Sequence, residues 1–183
     1  PQHRERVYIV GFRKDQNVKE FTYPVPIDKN KTFSDVREEQ VVSAKYYLST
    51  QYLKTLVVHK ERHAAKGNGF GYEIIPDDGV ANAIEVGGMG RERNFVIDNR
   101  LDDFTPVTNI KGEINRDGLR RMTPREWARL QGFPDEFIIG VADASAYKQF
   151  GNSVAIPAIQ ATAEQIIKRI EISKSKQYGD KRK

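Results

Sequence analysis

Three polar side chains at the start of the chain, Gln2, Arg4 and Arg6, alternate with His3 and Glu5 just before the apolar run Val7-Tyr-Ile-Val-Gly-Phe12. In an extended backbone successive side chains point to opposite faces, so the amide and both guanidiniums share one face. That grouping suits an anionic or carbonyl-bearing ligand; a solvated strand end has the same pattern. A second cluster, Phe150-Gly-Asn-Ser-Val154, joins two helical patterns through one tight turn. A helix starting at Ser153 would aim free amides at an anion, although capping by Gly151 and Ser153 explains the same residues. Arg91 and Arg93 follow Gly87-Gly-Met-Gly90, and arginine on a glycine-rich loop suits bidentate contact with guanine or phosphate, with an ion pair to Glu92 as the alternative. That cluster and Gly67-Asn-Gly-Phe-Gly71 are either simple turns or surfaces that meet a partner backbone. Neither is a nucleotide loop, because strand-like rather than helical text follows each.

His59 and His63 have the i, i+4 spacing of helical zinc sites. Glu61 turns to another face and His3 is the only other histidine, so the pair reads as a solvated helix face and no metal site is expected. With no cysteine, the chain itself supplies no thiolate nucleophile, no sulfur-ligated zinc and no iron-sulfur cluster.

The elements that must position these groups are legible in part. Val7 to Phe12 reads as a buried strand, and the Pro-, Asn- and Asp-rich stretch over 13–33 as a connector. Tyr52, Leu53, Leu56 and Val57 recur at helical spacing behind Ser49, with Gly67 beyond the end, which predicts an amphipathic helix. Residues 67–109 hold half of the chain's 14 glycines. Short strand-like pieces at Tyr72 to Ile75 and Asn94 to Ile97 interrupt them, so turns are expected there rather than a conventional packed core. Thr123-Pro-Arg-Glu126 is a capping box with proline at the first helical position, and predicts a short helix from Pro124 to Gln131 closed by Gly132. A helix after Asp143 ends at Gly151. A third is expected from Ser153, with Pro157 in its first turn and Ile156, Ile159, Ala163, Ile166, Ile167 and Ile170 along one stripe.

A charge of +5 on 183 residues suggests nucleic acid only weakly, because residues 168–183 carry seven basic and two acidic side chains and account for the whole excess. No run approaches the roughly 18 apolar residues of a membrane span, and the first residues lack a signal-peptide core, so a cytoplasmic protein without a membrane partner is expected. The chain begins at Pro1 and is soon in an apolar run, as a piece of something larger would.

Three segments in order, Gln-x-Arg-x-Arg before a strand, Thr-Pro-Arg-Glu-x-Ala-Arg-Leu-Gln-Gly-Phe-Pro from Thr123 and Tyr-Lys-Gln-Phe-Gly-Asn-Ser-Val from Tyr147, resemble motifs eight, nine and ten of the DNA (cytosine-5) methyltransferases. The text between, notably Ala65 to Tyr72 and Gly87 to Arg93, looks most like the target recognition domain of enzymes that methylate CCGG. The resemblance implies an α/β fold: the C-terminal portion of a class I S-adenosylmethionine-dependent methyltransferase, plus a small, loop-rich mixed α+β recognition domain. It places the motif-eight strand in residues 1–21, the recognition domain in 22–117, the motif nine and ten helices in 118–172 and a basic tail in 173–183.

The implied chemistry is thiolate attack on C6 of a flipped cytosine in double-stranded DNA, followed by methyl transfer from S-adenosylmethionine to C5. Arg6 then matches the arginine that reaches the cytosine ring oxygen, with Arg4 and Gln2 holding it, and Asn152, Ser153 and Val154 match the segment lining the donor pocket. Lys66, Asn68, Arg91 and Arg93 fall in the DNA-reading loops, while Asn82-Ala-Ile84 stands where many members carry a threonine-containing dipeptide. The family's donor loop, Pro-Cys nucleophile and Glu-Asn-Val motif precede motif eight and are not present. An N-terminal methyltransferase half, in cis or in trans, is therefore the expected partner, completing the donor pocket. A stand-alone DNA-binding module is the other reading; a general protein-interaction domain accounts for the composition but not for the ordered motifs.

Overall fold

The computed structural model describes residues 1–26, 30–86, 92–107 and 112–180. Contacts divide the chain into two units, Pro1–Arg4 with Asn30–Ser153, and Glu5–Lys29 with Val154–Lys183. Residues 30–117 of the expected recognition segment share the first unit with the motif-nine helix and the following one, and its residues 22–29 fall in the second.

In the first unit, Thr123 and Glu126 form the capping box: Glu126 N–H donates to Thr123 Oγ1 at 3.1 Å and Thr123 N–H to Glu126 Oε2 at 2.8 Å. With Pro124 at the first position this starts α2 at Pro124–Leu130, preceded in the chain by α1 at Thr50–Ala64. Gly132 ends α2 at φ +81°, a left-handed conformation that glycine adopts without strain. Trp127, Ala128 and Leu130 pack against Ala146, Tyr147 and Phe150 of α3 (Asp143–Asn152). The Trp127 and Tyr147 rings meet edge to face at 4.8 Å, and the Tyr147 hydroxyl donates to the Met122 carbonyl.

The same core takes Phe33, Val36, Ile75, Ala81, Ile84 and Val96. Part of the glycine-rich stretch expected to lack a conventional core thus supplies fully buried side chains. Its glycines make the turns between them, and the apolar residues are too widely spaced in sequence to announce a common core.

β1 (Gln2–His3) pairs parallel with β2 (Ala81–Asn82), and β3 (Phe95–Ile97) pairs antiparallel with β4 (Leu119–Arg121). Alternation sorts the second pair: Phe95 and Leu119 join Leu56 of α1 and Leu48 just before it, whereas Val96 turns to the main core and Arg120 is buried opposite it. Ser49 caps α1 as expected, accepting from Tyr52 N–H at 3.1 Å.

Arg120, fully buried, lies between two carboxylates: Nε donates to Asp98 at 3.0 Å, and Nη1 and Nη2 donate to Glu126 at 2.8 and 2.7 Å. Arg100 also reaches Asp98, at 2.8 Å, and Arg37 approaches it at 3.2 Å. Asn115 completes this polar interior by donating to the Leu48 and Leu119 carbonyls and accepting from Leu119 N–H.

The second unit contains α4 (Ile156–Asp180) and the extended strip before it in sequence. α4 begins three residues later than expected. A helix opened at the Ser153 carbonyl would need an N–H at residue 157, which is proline; the Ala155 carbonyl is the first to receive one, from Ile159 at 3.2 Å. Residues 7–12 form no strand. Tyr8 and Val10 are half-buried and, with Ile9, line a groove of about 340 Å³ against Ile159, Thr162, Ala163 and Ile166, although Val7 and Ile9 are 87% and 92% exposed. A strand needs a neighbouring backbone, and none pairs here among the described residues. On the isoleucine stripe, Ile159 and Ile167 are exposed while Ile156, Ile166 and Ile170 are half-buried. Among the described residues, no helix is long and apolar enough to cross a membrane.

Removing one partner of a buried ion pair strands the other charge, so Glu126→Ala should destabilise the first unit by about 3–5 kcal/mol; a urea midpoint within experimental error of wild type would contradict the dependence on Arg120. Burial raises the Asp98 pKa, but the hydrogen bond from Arg100 and the charge of Arg120 outweigh it and hold the carboxyl well below its ordinary value. Because folding lowers this pKa, its stabilisation is complete above about pH 4 and is lost as pH falls below that. Asp98→Asn should therefore be less stable than wild type at neutral pH, with the difference shrinking toward pH 2 in thermal unfolding; a constant gap would sink the assignment.

Candidate functional site

Gln2 and Arg4, the first two residues of the Gln-x-Arg-x-Arg pattern, make hydrogen bonds to the protein itself. Gln2 Nε2 donates to the Leu130 carbonyl at 3.0 Å and to Gln131 Oε1 at 3.2 Å, while its Oε1 accepts from Ile84 N–H at 3.3 Å. Arg4 donates to the carbonyls of Ile84 at 2.8 Å, Gly151 at 3.0 Å and Ser153 at 2.8 Å. Gln131, buried, donates in turn to the Phe150 carbonyl at 2.8 Å. Three side chains thus collect carbonyls from the 81–86 segment, the end of α2 and the end of α3. A cation at the α3 C-terminus is also favoured by the helix dipole. Gly151 permits this convergence: a Cβ there would stand 2.5 Å from Val86 Cγ2. The acceptors that Gln2 and Arg4 meet belong to this chain. Arg6 falls in the second unit, exposed, with Nη1 donating to the Glu5 carbonyl.

Asn152 is exposed at the end of α3, and Ser153 follows as its C-cap, with its N–H donating to the Phe150 carbonyl at 3.2 Å. Val154 opens the second unit and is 47% exposed. Because α4 starts at Ile156, Ser153 ends one helix rather than starting the next.

Of the four DNA-reading candidates, Lys66 and Asn68 are exposed on the turn after α1, where the Lys66 and Asn68 N–H groups both donate to the His63 carbonyl and Gly67 adopts φ +72°. Arg93 pairs with Glu73 at 3.2 Å rather than with Glu92. Arg91, with the glycines at 87, 88 and 90, lies outside the described residues. Asn82 is held by its own chain, donating from Nδ2 to Glu73 at 2.9 Å and to the Arg93 carbonyl at 2.8 Å, and from its backbone to Asn94 at 2.8 Å. His59 and His63 lie with ring centroids 4.4 Å apart, and the edge of Phe70 meets His63. Burial, followed by the charges of His59, Arg62 and Lys66, lowers the His63 pKa.

Sequence reasoning missed Gln131, Ile84 and the Arg120 network. Gln131 was visible only as the last residue of a helix and as part of the segment that starts at Thr123. The role of Ile84 is carried by its backbone, which no side-chain pattern can announce.

The model of the family described as C-5 cytosine-specific DNA methylase matches residues 1–168. The chain is 71% identical over 170 residues to "Type II methyltransferase M.HpaII" of Haemophilus parainfluenzae, covering 93% of this chain and 48% of that protein. It is 40% identical over 174 residues to "Type II methyltransferase M.SsoII" of Shigella sonnei, covering 93% and 42%. Its fold is similar to that of a methyltransferase of Entamoeba histolytica, with TM-score 0.52 and 19% identity over 84% of this chain and 44% of the other. The S. pombe Dnmt2 methyltransferase is similar at TM-score 0.54 and 17% identity, over 77% and 43%. The chain spans about half the length of the curated relatives it matches. A family match that runs unbroken from the Gln2–Arg4 anchor through the two capped helices into α4 leaves one assignment: the chain belongs to the C-5 cytosine-specific DNA methylases.

Proposed function

We propose that this chain is the DNA-recognising, fold-completing half of a cytosine-5 methyltransferase that modifies a cytosine in double-stranded CCGG, with S-adenosylmethionine as donor. The observation that carries the reading is the combination of a family match over residues 1–168 with the absence of cysteine from the chain. The thiolate that attacks the cytosine must then come from an N-terminal half, joined in cis or supplied in trans. The 71% identity to M.HpaII over 93% of this chain reaches through the recognition segment and supports the CCGG site. The same likeness supports a role in bacterial restriction-modification, acting on DNA in the cytoplasm.

S-adenosylmethionine supplies the methyl group when bound. The side chains that would hold part of it, Asn152 and Ser153 with Val154 beside them, offer an amide, a hydroxyl and an apolar contact but no carboxylate for a ribose diol. They fit one wall of the pocket, and the N-terminal half completes it. Arg6 has no carboxylate partner in an ion pair among the described residues, which leaves its guanidinium available to a flipped cytosine, where hydrogen bonding to the ring oxygen stabilises the negative charge that develops as C6 is attacked. Gln2 and Arg4 position the backbone that leads to it. Lys66, Asn68, Arg91 and Arg93 contact the duplex, with the exposed Arg62 of α1 available to phosphates.

The bare side of the 7–12 strip, Val7 and Ile9, and the exposed Ile159 and Ile167 suit burial against the α/β core of the N-terminal half.

Methyl transfer from labelled S-adenosylmethionine to a CCGG duplex should occur only when this chain is combined with a matching N-terminal half. Transfer by the chain alone would overturn the missing-nucleophile argument, and silence of the mixture despite tight CCGG binding would favour a non-catalytic module. In the assembled enzyme, Arg6→Ala should lower kcat by about 10²–10³, the usual loss for one donor to a developing oxyanion, with thermal stability unchanged. Arg4→Ala should instead lower the melting temperature together with activity; the reverse pattern in the two variants would exchange their roles.

A further inference from the structure

Three half-buried side chains from three elements meet on the face that β4 turns toward α1. The Tyr52 hydroxyl, one turn into α1, donates to Glu92 Oε1 at 3.1 Å. The Arg121 guanidinium, at the end of β4, lies over the Tyr52 ring at 5.5 Å from its centroid. Each charged group then has an atom left over: Glu92 Oε2 and Arg121 Nε are both covered from solvent without a hydrogen-bond partner. The neighbouring cations are engaged, Arg120 by Asp98 and Glu126 and Arg93 by Glu73, whereas Arg121 forms no ion pair among the described residues. Burial, then the Glu92 charge, raises the Tyr52 pKa against the opposing charge and hydrogen bond of Arg121, so the protonated phenol stands between the two charged groups.

A partly buried guanidinium without a counter-charge is costly unless a ligand supplies the missing acceptor. A phosphate would satisfy Arg121 but is repelled by Glu92 on the other side of the same phenol. A ligand edge that offers acceptors to the arginine and a donor to the glutamate satisfies both. The major-groove edge of a C·G pair has that pattern: guanine presents N7 and O6 as acceptors, and cytosine presents its N4 amino group as a donor. We infer that Arg121 and Glu92, spaced by Tyr52, read one C·G base pair of the target through its major-groove edge. This rests on the DNA methyltransferase reading and adds to it a pair of specificity-determining residues outside the glycine-rich loops.

The test uses the assembled methyltransferase containing this chain, with binding and methyl transfer measured on CCGG duplexes in which each guanine in turn is replaced by 7-deazaguanine, which lacks the N7 acceptor. Wild type should discriminate against the replacement at one position, and Arg121→Ala should lose that discrimination while binding the unmodified site about 5- to 150-fold more weakly, the range expected for one arginine–guanine contact. Glu92→Gln should relax selectivity at the same base pair when its C·G is changed to T·A. Equal weakening on every duplex would make Arg121 a phosphate contact, and a lowered melting temperature with the wild-type pattern of discrimination would make the cluster a structural brace; either result overturns the inference. If wild type methylates no cytosine duplex, the parent reading fails, and the binding panel still decides the role of Arg121 because it needs no turnover.

Discussion

A fully buried guanidinium organises the first unit. Arg120 has no access to water, and leaving its charge unpaired there would outweigh most single packing gains in a domain of this size. Its two carboxylates each have a second task. Glu126 caps its own helix and accepts from Glu38 N–H at 3.1 Å, and Asp98 gathers Arg100 and Arg37. The pairing therefore joins β3, β4, the start of α2 and the segment around Glu38 in one electrostatic unit. An apolar replacement could fill the same volume, but it would not specify which strand meets which helix.

Around that centre, backbone carbonyls serve as attachment points. Gln2, Arg4 and Gln131 between them hold carbonyls from three separate segments, and Asn115 does the same for Leu48 and Leu119. This suits a unit whose strands are only two or three residues long. Such short ladders leave many peptide groups unpaired, and side-chain amides and guanidiniums take the place of further strands. The cost is that residues with the appearance of ligand-binding groups, Arg4 above all, are committed to holding the fold.

The balanced charge of residues 1–167 bears on the proposed DNA role. With the basic excess confined to the final residues, the proposed recognition of DNA would have to draw its discrimination from individually placed groups, because a weak general field gives little affinity for any duplex. The pairing of Arg93 with Glu73 and the apposition of Arg121 and Glu92 around Tyr52 are compatible with that pattern, since acids beside arginines would limit indiscriminate attraction to phosphate.

Local signals were fully legible in the chain: the capping box at Thr123, the Ser49 cap, Gly132 at the end of α2 and the absence of any thiol depend on residues a few positions apart or on composition alone. The three ordered motifs were legible too, and with them the family. The proline that delays α4 was equally visible, but its effect follows from asking which N–H the Ser153 carbonyl would need. Tertiary structure alone decided the rest. Val7 to Phe12 has the text of a buried strand, yet strand formation depends on a second backbone, which nothing in its own residues supplies. Ile84, Val96 and Arg120 are far apart in sequence and alternate with loop residues, so their common burial emerges only when the chain returns on itself. Whether an arginine binds a ligand or its own backbone depends on which carbonyls lie within about 3 Å, and that distance is set by the packing of distant segments.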